Sequence, residues 1–234
     1  MKLPHPSGLP GRLFFGLGAK AYDLLTAQPL WREQIARLLD LHPPSGPERV
    51  LDLGTGPGVS AFVLAEHLPH GSHVTGLDLS PQMIAIAKRY HAERPALPVD
   101  FLVADASRLP FGDASFDRAT GHSFLYLLPD PVAVLREVAR VLVPGGVATF
   151  MEPSDSGSLW MAARSAPSPL AHHAWDTLRF STSMALWRVA SATHTRMTRA
   201  RLEELCRLSG LAFVDARPTL GGLGLHFIAR RPAA

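Results

Sequence analysis

The stretch Arg49–Ser60, RVLDLGTGPGVS, decides how the rest of the chain is read. Val50, Leu51 and Leu53 make a run too short and too apolar for a surface helix, so it reads as a buried strand. Gly54, Gly56 and Gly58 follow at alternate positions, and Ala61-Phe62-Val63-Leu64 then opens a helix. Glycines at that spacing let the chain turn sharply and let a ligand lie directly on main-chain atoms. A strand, a glycine turn and a helix N-terminus form a nucleotide cradle, although several cofactors share the glycine pattern.

Asp52 narrows the choice. It stands two residues before Gly54, and the sequence places it at the mouth of the loop. A pyrophosphate resting on helix N–H groups would be repelled by a carboxylate there, whereas an ammonium would be attracted. S-adenosylmethionine (SAM) carries an ammonium and a sulfonium and has no phosphate. The stretch resembles the first motif of the class I SAM-dependent methyltransferases, acidic-x-Gly-x-Gly-x-Gly. The resemblance implies a cradle of Asp52, Gly54, Thr55, Gly56 and Gly58 around SAM.

Composition is consistent with an ordinary folded domain. The chain has 234 residues, 47% of them hydrophobic, and a net charge of only +3. That length suits one large domain with a full core. No Lys/Arg block with interleaved aromatics tracks a nucleic-acid backbone. The lone Cys206 excludes an intramolecular disulfide and reads as a buried structural thiol. Nothing reaches membrane-spanning length, and the patch Leu13-Phe14-Phe15 is too short for a signal sequence. The expectation is a cytoplasmic protein, monomer or homodimer, acting on a small molecule without nucleic acid or membrane insertion.

Two more acids follow two more strands. His73–Asp78 reads as strand two, and Asp78, twenty residues after Gly58, is placed to accept both ribose hydroxyls. Ser80-Pro81 starts a helix with Met83, Ile86 and Tyr90 on one face. Val99–Val103 reads as strand three and ends at Ala104-Asp105-Ala106. In the resembled family an acid at this point accepts the exocyclic amine of adenine, and Leu79, Met83 and Ala106 complete the cofactor wall. Three acids after three successive strands are the strongest constellation in the chain.

Strand four, Phe116–Gly121, leads into His122-Ser123-Phe124-Leu125-Tyr126. Pro129-Asp130-Pro131 caps a helix with Val134, Leu135, Val138 and Leu142 inward; Pro144-Gly145-Gly146 breaks it before strand five, Val147–Met151. Residues 47–152 follow the family pattern well, and AYDLLT at Ala21–Thr26 with Trp31 is similar to the quinone-ring C-methyltransferases. A helix over Thr198–Ser209 with Leu202, Leu205 and Leu208 inward precedes strands Leu211–Ala216 and Leu223–Ile228. A hairpin there ends a parallel sheet antiparallel. The expected fold is α/β: a doubly wound, mostly parallel seven-stranded Rossmann-like methyltransferase sheet with a helical cover. Its parts are N-terminal helices (1–46), a SAM-binding core (47–152), the cover insertion (153–197) and a last helix and hairpin (198–234).

The N-terminal helices place Tyr22 and Trp31 where they could close over the cofactor. The insertion concentrates Trp160, Trp175 and Trp187 above the carboxyl edge of the sheet, a flat apolar acceptor pocket with Arg164, Arg179 or Arg188 for an acidic substituent. His122 follows strand four, where the resembled enzymes hold the transferred methyl, and is the candidate general base. His67, His70 and His73 cross a helix end, a turn and a strand start, so they present no metal face. An NAD(P)-binding oxidoreductase would leave Asp52 and Asp105 unexplained. A non-catalytic SAM-binding domain stays open at this level, because methyl transfer needs no obligatory nucleophile.

Overall fold

The protein is described here from a computed structural model, over residues 29–157, 182 and 196–233. Tyr22, Trp160, Arg164, Trp175, Arg179, Trp187 and Arg188 lie outside the described residues, as does almost all of the cover.

Arg49–Leu53 is β1, buried from Val50 onward. Flanking it are β2 (His73–Asp78) and β4 (Phe116–His122), both parallel to it. β3 (Val99–Val103) pairs beyond β2, and β5 (Leu142–Pro153) beyond β4. β7 (Gly224–Arg230) runs antiparallel to β5, and β6 (Ala212–Thr219) closes that edge antiparallel to β7. The order is β3-β2-β1-β4-β5-β7-β6. The chain winds outward in one direction from β1 and then in the other from β4. At that switch point the carboxyl ends of β1 and β4 leave a crevice between helices, where ligands bind in open α/β sheets.

Alternation along the strands assigns the two faces. Val50, Val74 and Val99 pack against Ile35 and Leu39 of α1 (Pro29–Asp40), Phe62 of α2 (Val59–His67) and Ile84 of α3 (Pro81–Ala92). Leu51, Leu53, Phe150 and Phe227 point the other way. They pack against Leu135 and Val138 of α4 (Pro131–Val141) and Leu202 and Leu205 of α5 (Arg199–Ser209). Two caps work as read: the Ser80 hydroxyl accepts from Met83 N, and Asp130 Oδ1 accepts from Ala133 N.

Local details differ from the sequence reading. β5 begins at Leu142, before the Pro-Gly-Gly, because Leu142 pairs with Phe116 and the Gly145 and Gly146 backbones bond Arg231. In α5 the inward position falls to Cys206, fully buried, while Leu208 is 39% exposed. Burial pushes the Cys206 thiol up to about 12, so it stays protonated and inert. Pro218 sits inside β6 rather than in the turn, which an edge strand tolerates because its outer N–H groups need no partner.

Candidate functional site

The crevice is floored by the glycine loop. Gly54, Gly56 and Gly58 all have left-handed backbones, with φ of 66, 55 and 91°. A Cβ on Gly54 would lie 2.4 Å from the Phe124 ring, and one on Gly58 would lie 2.8 Å from the Phe101 ring. Sterics therefore demand glycine at both. Thr55 N donates to Leu77 O at 2.9 Å, which pins the loop to β2, while the Thr55 side chain turns inward toward Gly76.

The three acids occupy three different environments. Asp52 is 1% exposed, not at the mouth where the sequence reading put it. Strand alternation places it with Val50 on the face covered by helices. There it accepts the Ser60 hydroxyl and, at 3.0 Å, that of Thr120, its neighbour on β4. Burial raises its pKa to about 6, although the hydroxyl bonds pull the other way. It buttresses the loop from behind.

Asp78 stands at the loop itself. Its Oδ2 accepts from Gly56 N at 3.0 Å and its Oδ1 from Ser80 N at 2.8 Å. Each oxygen keeps a further lone pair for a ligand hydroxyl. Asp105 is exposed beyond β3, and Oδ1 accepts both Ser107 N (2.8 Å) and Ser107 Oγ (2.7 Å). Between these two acids Leu79 is 57% exposed, the most accessible large apolar side chain of the described surface, while Met83 and Ala106 are buried beneath.

The end of β4 is organised by a residue that the sequence reading passed over. Glu152, fully buried near the end of β5, accepts three successive backbone N–H groups. Oε1 takes Phe124 N (3.2 Å) and Leu125 N (2.8 Å), and Oε2 takes Tyr126 N (3.2 Å). Burial lifts its carboxyl to about 7 against the pull of those bonds. Ser123, at φ 56°, donates its N–H to Met151 O at 2.7 Å. A lone carboxylate in the apolar run Val147–Met151 and its continuation was the available signal, since buried acids occur where donors converge.

His122 sits in register with Met151, which in turn pairs with His226, so all three share the α1 face. Its Nε2 is inaccessible and bonds nothing among the described residues, and its ring meets Trp31 edge-on at 5.2 Å. Burial and the nearby His226 bring His122 down to about 3. The imidazole is thus neutral at physiological pH, with its Nε2 turned away from solvent. Trp31 itself is a core residue, packed with Leu38, Met151, Leu220 and Leu223.

The ends of the insertion meet at its base. Met197 N donates to Pro153 O at 2.8 Å, and Ser154 N to Leu223 O at 2.8 Å. Gly157 rests on the Gly221–Gly222 backbone so closely that a Cβ would come 2.4 Å from the Gly222 carbonyl carbon. The insertion leaves the carboxyl edge beside β5 and returns to the same point. Among the described residues no cluster of metal-ligating side chains exists, and no helix is long and apolar enough to cross a membrane.

The comparisons with known proteins agree with this geometry. Residues 50–146 match the methyltransferase domain family. A demethylmenaquinone methyltransferase of Thermus thermophilus is 40% identical over 154 residues, 62% of this chain and 68% of that protein. An aklanonic acid methyltransferase of a Streptomyces species is 34% identical over 142 residues, 59% of this chain and 63% of that protein. The chain thus spans about two thirds of the length of these two curated relatives. A SAM-dependent methyltransferase from Aquifex aeolicus shares the fold, with a TM-score of 0.68 and 16% identity over 92% of this chain and 97% of that one.

The chain belongs to the class I SAM-dependent methyltransferases. It is an enzyme of that class, and its cofactor is SAM. The residues present fit the cofactor: a glycine cradle that a side chain would fill, and a carboxylate with spare lone pairs at its rim.

Proposed function

We propose that the acceptor is a small, flat, mostly apolar organic molecule, held between the end of β4 and the insertion at the carboxyl edge. SAM, when bound, supplies an electrophilic methyl on a sulfonium whose charge vanishes on transfer. The chain's own part is to align the two reactants and keep water away, which supplies most of the acceleration of such a displacement. Gly54, Gly56 and Gly58 cradle the methionine portion, and Asp78 takes the ribose hydroxyls. Asp105 takes the adenine amine, with Leu79 against the base and Met83 and Ala106 behind. Tyr22 is the N-terminal residue proposed to meet the cofactor.

The carrying observation is the closed base of the insertion. Its two described ends are bonded together at the carboxyl edge, which supports the reading that Trp160, Trp175, Trp187 and Arg179, in the chain between them, serve the acceptor. The demethylmenaquinone and aklanonic acid acceptors named for the two curated relatives support a planar substrate. His122 lines the wall as a neutral imidazole. It serves as base only toward an acceptor that must lose a proton, because its low proton affinity and inaccessible Nε2 suit hydrogen bonding better than proton capture.

The test is methyl transfer to a panel of aromatic and quinol acceptors, with and without replacement of the insertion tryptophans by Ala. Flat aromatic substrates should be methylated, and the triple replacement should raise KM for them by roughly tenfold or more. Equal turnover of flexible aliphatic acceptors, or an unaltered KM, would remove the planar-acceptor reading.

A further inference from the structure

Glu152 ties the end of β5 to the loop after β4, and neither the motifs nor the family comparison assigns it a role. It is fully buried on the α4–α5 side of β5, yet its bonds go to the loop after β4. These three N–H groups open the 3-10 turn Leu125–Leu127, where no intrahelical acceptor exists. Without the carboxylate they would be buried donors with no partner, and the loop would move to satisfy them. Ser123, just before, holds a left-handed backbone that a non-glycine residue keeps only when its surroundings enforce it.

The consequence runs to the cofactor loop. Phe124, whose N–H is one of the three, lays its ring against Gly54, at the distance where even a Cβ would collide. Any displacement of residues 124–126 therefore moves the ring that bounds the first glycine of the cradle. The same loop borders the acceptor side at the end of β4.

We propose that Glu152 is a positioning residue: by fixing Phe124, Leu125 and Tyr126 it seats the Phe124 ring on Gly54 and so sets cofactor affinity from the acceptor side of the crevice. This rests on the glycine loop being the SAM cradle but not on the nature of the acceptor. A ligand that orders one loop therefore orders the other, and cofactor binding preorganises the wall against which the acceptor docks.

The experiment measures binding of S-adenosylhomocysteine by calorimetry and amide exchange of residues 123–127, without turnover. Glu152→Gln keeps the side-chain volume but turns an NH2 donor toward one of the backbone N–H groups. Expected are a folded protein, exchange at Phe124–Tyr126 faster by about tenfold or more, and affinity weaker by roughly tenfold. Phe124→Ala, a change at a half-buried position, should weaken binding to a similar extent, while Phe124→Tyr retains it. The two losses should not add in the double variant, because both act through one ring. Wild-type affinity in Phe124→Ala overturns the proposal whether or not Glu152→Gln folds. So does wild-type affinity in folded Glu152→Gln, or full additivity of the two losses.

Discussion

The cofactor half of the crevice and the acceptor half are built on different principles. On the β1–β3 side, most contacts that shape the ligand surface are local or run between adjacent strands: Asp78 reaches Ser80 and the Gly56 N–H across from β2, Asp105 reaches Ser107, and the glycine loop follows directly on its strand. On the β4–β5 side, the shape depends on partners far apart in sequence. Glu152 holds Phe124 to Tyr126 and Thr120 meets Asp52, while Met197 returns to Pro153. A cofactor common to a whole family can be held by short, repeatable units. An acceptor surface is assembled from wherever the chain returns, so it changes as the insertion changes.

The sharpest way to break that division is Gly54→Val, at the junction of the halves. The variant would need a branched residue at φ 66° and a Cβ inside the Phe124 ring. SAM binding should fall below detection, at a stability cost of roughly 1–3 kcal/mol that leaves the domain folded. Calorimetry alongside thermal unfolding checks both; near-normal affinity would mean the two halves do not touch functionally.

Asp78→Ala tests the cofactor half alone. Removing the two charge-assisted bonds proposed to the ribose should cost about 2–4 kcal/mol of SAM affinity. It also frees Gly56 N, so amide exchange should rise most at the glycine loop and much less at Phe124–Tyr126, which Glu152 still holds. If exchange rose equally on both sides, the halves would not be separable.

The acceptor half has its own pH signature. The Glu152 carboxyl stands near 7 in the fold against an ordinary 4.5. The folded protein therefore binds more protons than the unfolded chain between those values. Its contribution to stability is complete below about pH 4.5 and is lost as pH rises through 7. The loss is about 3 kcal/mol over that window. Glu152→Gln removes this dependence, so the stability difference between wild type and variant should shrink by that amount from pH 4.5 to 7.5 in urea titrations. A difference that is flat with pH would place the carboxyl at its ordinary value.

The smallest expected effect is at His122. With its pKa near 3 it is neutral across the working range, so it should contribute no limb to the pH profile of kcat/KM between pH 5 and 8. A limb near 6.5 that disappears in His122→Asn would restore it as the general base.

The sequence by itself determined the glycine turn, the carboxylates Asp78 and Asp105 just past β2 and β3, the succession of strands through β5 and the antiparallel ending. Each rests on information carried within a few residues: a glycine at a left-handed turn, a carboxylate just past a strand, a serine before a helix. Only the tertiary structure decided that Asp52 faces Ser60 and Thr120 instead of the opening, that Trp31 belongs to the core, and that His122 turns Nε2 inward. The same holds for Glu152, which reads in sequence as one acid after an apolar strand. Its role exists because β4 and β5 lie side by side, and strand pairing brings together residues that no local spacing relates.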